Sequence, residues 1–401
     1  MNAYSYILAV CGLVMISYLY NLLSGKTGIP AVLLLLVTGI CCRELLLYTG
    51  TEFHIPHKML EIFGVLGLIM IILEAGLDLE ADRKKLPLVR HAFFSALCIF
   101  LLSAIACASL LHLYLGENFM NCLVYAIPLS VVSSAIVIPS ISHLGAEKKE
   151  FLVYETSFSD IVGILLFNYI IAGEVMKWQN IAWFFGSVLF SVIISVVLSF
   201  FMLLLLLKIT TRVRFFLVLA VLVFLYAGGK LLHLPALFII LLFGLITANW
   251  QLPLFKRFYQ WIRPAQVSEV KHMLHALTAE SSFLVRTFFF FVFGLTIDLR
   301  LLCDAEVLLA GTALVTVLFG VRYIYLRFFL KTHIMPALFF MPRGLITILL
   351  FYSIPDTFKL SAFNEGILFF VILVTSIIMM VGSVVTRKQG VQVINDEVPL
   401  T

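Results

Sequence analysis

The 401 residues are 62% hydrophobic and only 12% charged, with a mean hydropathy of +1.11. A soluble globular domain has an apolar share nearer half, so that class is excluded and the chain must live in a bilayer. The net charge of +5 does not point to nucleic acid, because the Lys and Arg residues are scattered between apolar runs and form no stripe or block.

About 20 apolar residues are needed per span. On that count the chain is an all-α, polytopic membrane protein of about thirteen transmembrane helices, near 4–23, 28–48, 59–78, 86–114, 119–144, 151–172, 180–207, 213–232, 234–250, 279–298, 301–329, 334–354 and 364–385. No Ser-, Pro- or Gly-rich linker separates them, so residues 1–385 form one membrane domain and 386–401 a short polar tail. The first span lacks a basic leading segment and a small-residue cleavage site, and is expected to be retained. The seven cysteines fall mostly inside spans without C-x-x-C spacing and are expected to be apolar fillers.

Sorting Lys and Arg by alternate loops places about 18 on one side and about 5 on the other. The clusters are Arg83, Lys84, Lys85 and Arg90; Lys208, Arg212 and Arg214; and Lys256, Arg257, Arg263 and Lys271. This asymmetry predicts a cytoplasmic C-terminus and an external N-terminus. Arg43 is left near a span end, and Arg286, Arg322 and Arg343 fall within spans.

The chain repeats itself. EAGLDLE at 74–80 closes the third span and FGLTIDLR at 293–300 closes the tenth, each an apolar helix ending in Gly-Leu and an acidic turn. Each is followed by a long span and then by one with helix breakers: SVVSSAIVIPS at 130–140, with Ser130, Ser133, Ser134 and Pro139, and FFMPRGLITI at 339–348, with Pro342, Arg343 and Gly344. A shift of roughly 210 to 220 residues aligns both features, as in transporters built from two related halves. Equivalent helices lie seven spans apart, an odd number, which predicts inverted repeats. Interrupted helices at matching positions point to a mid-membrane binding site, where freed backbone carbonyls and helix ends face an ion.

The span FLVYETSFSDIVGILLFNYI at 151–170 carries Glu155, Thr156, Ser159 and Asp160 in its middle. A charge at the centre of a lipid-embedded helix costs roughly 2.5 to 3.5 kcal/mol, so a carboxylate there has a use or a partner. Asp160, on the helix after the first interrupted span, is the candidate chemical centre. Thr156, four residues earlier, shares its face. A hard monovalent cation wants several oxygen ligands, and Asp160, Thr156, Ser159 and the region of Ser133 and Ser134 offer a carboxylate, hydroxyls and carbonyls. The plain alternative is that the hydroxyls bond their own helix backbone. Glu155 points about 140° away from Asp160 and suits a structural ion pair with Arg322 or Arg343. Arg286 faces the bundle or snorkels to the surface. His272 and His275, three apart, read as a solvated face. Metal-ligand spacing, a Gly-rich phosphate loop and hydrolase motifs are absent, so no cofactor is expected.

Glu155 to Asp160, ETSFSD, resembles the E-S-x-x-N-D signature of the monovalent cation:proton antiporter superfamily, which takes in the sodium/hydrogen exchangers and Kef-type membrane domains. VSSAIVIPS resembles its first crossing helix, MPRGLIT at 341–347 its second, and LEAGLDLE and FFFVFGLTIDL two further family stretches, in the family's order over essentially the whole membrane domain. The resemblance implies exchange of Na+ or K+ for protons by alternating access, with a core domain moving against a dimerising scaffold, as a homodimer in a prokaryotic inner or plasma membrane. By position it makes Asp160 the ion-binding aspartate, Glu155 the family glutamate, Thr156 a ligand hydroxyl and Ser133 the unwound part of the crossing helix. Ser159 departs from it, standing where one branch has Asn and another Asp. The soluble nucleotide-binding domain of many Kef-type members is not expected in so short a tail.

With one free acid, and Glu155 neutralised by an arginine, the expected exchange is one proton per cation and electroneutral. An ion-coupled symporter or anion carrier on the same fold is the alternative, with arginines binding a carboxylate substrate. An intramembrane aspartyl protease needs two convergent aspartates, and Asp160 alone lies deep in a span. A non-transporting scaffold does not explain a buried acid beside interrupted helices.

Overall fold

The computed structural model describes residues 3–49, 57–79, 85–141, 144–171, 186, 189–190, 192–201, 214–231, 236–249, 264–330 and 335–396. Among these the chain is helical and contains no strand. The helices are α1 (Ala3–Thr27), α2 (Ala31–Tyr48), α3 (His57–Asp78), α4 (Leu86–Leu115), α5 (Phe119–Ser130), α6 (Ser134–Ser140), α7 (Ala146–Ile171), α8 (Val192–Phe201), α9 (Arg214–Leu231), α10 (Ala236–Ala248), α11 (Pro264–Thr296), α12 (Leu299–Leu302), α13 (Ala305–Tyr325), α14 (Leu345–Tyr352) and α15 (Glu365–Asp396). Seven described segments are long and apolar enough to cross a membrane: α1, α2, α4, α5 with α6, α11, α13 and α15. The remaining expected spans are taken by α3, α7, α8, α9, α10 and the segment 335–352. The span expected at 180–207 is described only in part, and Arg83, Lys84, Lys208, Arg212, Lys256, Arg257 and Arg263 lie outside the described residues.

Several boundaries depart from the sequence expectation. The tenth span, expected at 279–298, belongs to the 33-residue α11, which starts at Pro264. Pro is well suited to the first helical position, and the following polar residues suit a helix that projects beyond the apolar layer. Likewise α15 continues from the last span to Asp396, through most of the expected tail. The twelfth span is helical only from Leu345 to Tyr352; residues 335–344 are turns and extended chain. Pro342 lacks an N–H and disfavours a helical residue before it. The fifth span breaks as expected, with α5 and α6 separated by extended Val131 and Ser133.

The chain forms two compact units. One comprises Met1–Leu60, Leu88–Gly163 and Arg286–Thr401. Its centre is α5 and α6, buried from Tyr125 to Val137. Beside them α4 turns inward a stripe of small residues, Ala92, Ser95, Ala96, Ser103, Ala104 and Ala108, at helical spacing. Small residues allow the close backbone approach that drives helix association where lipid removes the hydrophobic force. The other unit comprises Glu61–Pro87 and Ile164–Val285, with the buried run Leu68–Leu73 of α3 at its core.

Each unit contains one copy of the same contact. In the first, Gly39 of α2 meets Gly294 of α11 so closely that a Cβ on Gly39 would lie 2.2 Å from the Phe291 carbonyl oxygen, and one on Gly294 would lie 2.4 Å from that of Leu36. In the second, Gly244 of α10 meets Gly76 of α3, and added Cβ atoms would lie 2.9 Å from the Leu73 oxygen and 2.6 Å from the Leu241 oxygen. Three residues beyond Gly294, the Ile297 carbonyl accepts a 3.0 Å hydrogen bond from Arg43. Three residues beyond Gly76, the Leu79 carbonyl accepts one of 2.6 Å from Asn249. The repeat seen in the acidic turns thus extends to packing and to the hydrogen bond that closes each helix end.

Candidate functional site

The site lies in the first unit, where two stretches of extended backbone meet. After α5 ends at Ser130, three successive amides find three different partners. Val132 N–H donates to Ser159 Oγ at 3.0 Å, Ser133 N–H to the Pro342 carbonyl at 2.9 Å, and Ser134 N–H to Asp160 Oδ2 at 3.3 Å. The Ser133–Pro342 bond ties the two extended stretches directly together. Gly344 makes room for this meeting, since a Cβ there would fall 2.5 Å from Ser133 Oγ and 2.8 Å from Ile136 Cδ1.

The breaks leave carbonyls without intrahelical donors, and in hydrocarbon each needs a partner. Arg343 serves two. Its Nε donates to the Leu129 carbonyl at 2.7 Å and its Nη1 to that of Met341 at 2.6 Å. Its own backbone N–H donates to Thr375 Oγ1 at 3.1 Å. Arg343 is therefore held by main-chain oxygens, and the expected choice of Glu155 partner falls on the other arginine. Arg322 Nη2 lies 2.7 Å from Glu155 Oε2, with both side chains buried. Ser95 Oγ donates to Glu155 Oε1 at 2.8 Å, and Arg322 Nε to the Ala337 carbonyl at 2.8 Å.

Asp160 is buried and accepts a short hydrogen bond from Ser134 Oγ on the same Oδ2 that the Ser134 amide approaches. Its other oxygen, Oδ1, is buried and makes no hydrogen bond among the described residues. The two buried acids of α7 thus have opposite surroundings. Glu155 is matched by a guanidinium and a hydroxyl, whereas Asp160 has only amide and hydroxyl donors on one oxygen and an open valence on the other.

The remaining expected ligands sort as follows. Ser134 touches Asp160 through both backbone and side chain, while Ser133 N-caps α6 and joins the two extended stretches. Thr156 Oγ1 donates to the Leu152 carbonyl at 2.8 Å, the local backbone bond that is the plain alternative to ligation; its lone pairs remain available. Ser159 holds the first extended stretch through Val132. Arg286 is half-buried on α11. Ser95 and Thr375 do not stand out in the sequence. The first carries a usable signal, a Ser in the inward stripe of small residues on α4, and the second lies about one repeat length beyond Ser159. His275 is not simply solvated, since its Nε2 lies 2.6 Å from Asp78 Oδ1 at the end of α3. Among the described residues no group of His, Cys, Asp and Glu could hold a resident metal ion.

Two interrupted segments joined by the Ser133–Pro342 hydrogen bond, with a buried carboxylate on the helix after the first, are the arrangement of a membrane transporter class with crossing discontinuous helices. The family model for the sodium/hydrogen exchanger transmembrane domain matches residues 12–387. The chain therefore belongs to the sodium/hydrogen exchanger family, whose members are transporters and not enzymes. In fold it is similar to the sodium proton antiporter MjNhaP1 from Methanocaldococcus jannaschii at pH 8, with a TM-score of 0.70 and 16% identity over 96% of this chain and 99% of that one. An electron-microscopy structure of the same antiporter gives 0.69 and 15%, covering 100% of each chain. No curated protein sequence matches the chain.

Proposed function

We propose that this protein exchanges Na+ or K+ for protons across the membrane at Asp160, by alternating access and without net charge movement. The observation that carries the reading is the buried Asp160 Oδ1 with no hydrogen-bond partner among the described residues. A carboxylate so placed is neutralised by a proton or by a cation, and one bound species excludes the other. Competition for one site that must not cross empty yields exchange. Ser134 and the lone pairs of Thr156 supply further oxygens near a cation on Asp160, and Ser159 and Ser133 hold the backbone that frames it.

The stoichiometry follows from the second acid. Glu155 is already matched by Arg322 at 2.7 Å, leaving one titrating carboxylate and hence one proton per cation. Na+ is favoured over K+ because the family is that of the sodium/hydrogen exchangers and MjNhaP1, which the chain resembles in fold, is a sodium proton antiporter. The rival anion carrier needs arginines free to take a substrate carboxylate, whereas Arg322 and Arg343 are committed to Glu155 and to main-chain oxygens. The orientation taken from the basic loops places the C-terminus in the cytoplasm, and the working form is a homodimer.

The test is Asp160→Asn in proteoliposomes with an internal pH dye. The parent dissipates a pH gradient on addition of Na+ or K+, at a rate unaffected by an imposed membrane potential. Asp160→Asn abolishes this. Residual cation–proton exchange in the variant overturns the assignment of the site, and a potential-dependent parent rate overturns the one-to-one stoichiometry.

A further inference from the structure

The two extended stretches are held in the same way from outside. In the first half, Val132 N–H is taken by Ser159 Oγ at 3.0 Å; in the second, Arg343 N–H is taken by Thr375 Oγ1 at 3.1 Å. Each hydroxyl belongs to the helix that follows its own interrupted segment, Ser159 to α7 and Thr375 to α15, and both are buried. The two pairs are related by roughly the 210 to 220 residues that align the halves. Between them runs the bond from Ser133 N–H to the Pro342 carbonyl at 2.9 Å. Ser133 follows Val132 and Pro342 precedes Arg343, so an unbroken ladder leads from Ser159 across the meeting point to Thr375.

Thr375 is suited to this position. Its hydroxyl donates to the Val371 carbonyl at 2.7 Å, one turn back on α15. That bond orients the oxygen and leaves lone pairs to accept the Arg343 amide. A buried amide in an irregular stretch has no water to turn to. Loss of the acceptor therefore frees the second stretch to shift, and with it Pro342, Ser133 and the adjoining Ser134 that bonds Asp160.

We propose that Thr375 is a positioning residue for cation binding, acting at a distance through Arg343, Pro342 and Ser133 to set the placement of Ser134 against Asp160. This rests on the reading of Asp160 as the exchange site. Among the described residues Asp160 takes hydrogen bonds from Ser134 alone and none from α15; in this scheme the second half supplies register and the first half supplies the ligands.

Thr375→Val keeps the β-branched shape and removes the oxygen. It is expected to raise the KM for Na+ in proteoliposome exchange about tenfold, the consequence of one lost buried hydrogen bond, with the maximal rate much less affected. Thr375→Ser keeps the acceptor and stays within about twofold of the parent. Ser383→Ala removes a buried hydroxyl elsewhere on α15, one that has no hydrogen-bond partner among the described residues, and leaves KM unchanged. Where Thr375→Val is not recovered folded, Thr375→Ala and Thr375→Ser are compared, since both lack the methyl and differ only in the hydroxyl. Equal KM values in the Val and Ser variants, or in the Ala and Ser pair, overturn the inference, as does a loss confined to the maximal rate. With Asp160→Asn inactive, such a result leaves the exchange site standing; an active Asp160→Asn removes the site itself.

Discussion

Glu155 and Arg322, 167 positions apart in the chain, meet at 2.7 Å with almost no exposure of either side chain. A buried pair of this kind is weak evidence for added stability, since the cost of desolvating both charges offsets their attraction. Removal of one partner is a different matter. Glu155→Ala leaves the guanidinium buried and uncompensated, at about 3 to 5 kcal/mol, and Arg322→Ala does the same to the carboxylate. Each single variant is expected to unfold at markedly lower temperature in detergent, while Glu155→Leu combined with Arg322→Met recovers much of the loss. A double variant as unstable as the two singles added together would show that the residues act independently.

Arg343 has a different task from Arg322, and the contrast is measurable. Truncation at Arg343 leaves the Leu129 and Met341 carbonyls without donors, each worth about 1 to 3 kcal/mol when buried. Lysine offers a point charge in place of a planar fork and is expected to serve one carbonyl but not both. Thermal unfolding should therefore rank parent, then Arg343→Lys, then Arg343→Ala. Since no acid contacts Arg343 among the described hydrogen bonds, the Lys variant gains nothing from neutralising Glu155. An Arg343→Lys protein as stable as the parent removes the two-carbonyl account.

The helical plan and the two breaks are legible in the sequence because hydrocarbon imposes strong local rules. Long apolar runs are helices there, and the polar run around Ser133 and the Pro342-Arg343-Gly344 stretch mark where the rule is broken, whereas Pro139, also expected as a breaker, lies inside α6. Asp160 stands out by its cost. The sequence leaves the partner of Glu155 between Arg322 and Arg343, because both lie in spans and only tertiary packing brings one of them to α7. Ser95 and Thr375 are hidden for the converse reason: hydroxyls are common in membrane helices, and their importance lies in which distant amide or carboxylate they meet. The start of α11 and the end of α15 are not legible because hydropathy reports where the apolar layer ends, whereas a helix ends where its backbone hydrogen bonds do. At 1.5 Å per residue the 33 residues of α11 extend about 50 Å, well beyond a hydrocarbon layer of about 30 Å.

The paired glycine contacts predict a position-specific intolerance. Gly39→Ala places a methyl 2.2 Å from the Phe291 carbonyl, and Gly244→Ala places one 2.9 Å from that of Leu73, where backbone must move. A Cβ added at Gly12 on α1 would meet nothing within 4 Å, so Gly12→Ala is tolerated and gains up to about 1 kcal/mol in helix propensity. Size-exclusion profiles in detergent should show Gly39→Ala more disrupted than Gly244→Ala, with Gly12→Ala like the parent. The same order with Leu in place of Ala would be steeper, and indifference at Gly39 would exclude the close approach.

Asp298, in the turn between α11 and α12, supplies a pH signature away from the exchange site. Arg43 Nη2 bonds its Oδ2 at 3.1 Å and the Arg300 amide its Oδ1 at 2.9 Å, and these hold its carboxyl below the usual carboxylate range, the Arg43 bond most of all. A group whose folded pKa is lowered stabilises the fold above its unfolded value, about 3.9 for Asp, and the contribution is lost as pH falls through the folded value. Asp298→Asn keeps an acceptor for the helix cap and removes the charge. The difference in unfolding temperature between parent and Asp298→Asn is expected to be constant from about pH 7 to 5 and to shrink below about pH 4. In an Arg43→Gln background the difference should be smaller throughout and its loss should be complete at a higher pH, because the carboxyl has lost its main stabilising donor and its folded pKa lies nearer the unfolded value. A difference that grows on acidification would reverse the sign and rule out the Arg43 bond as its source.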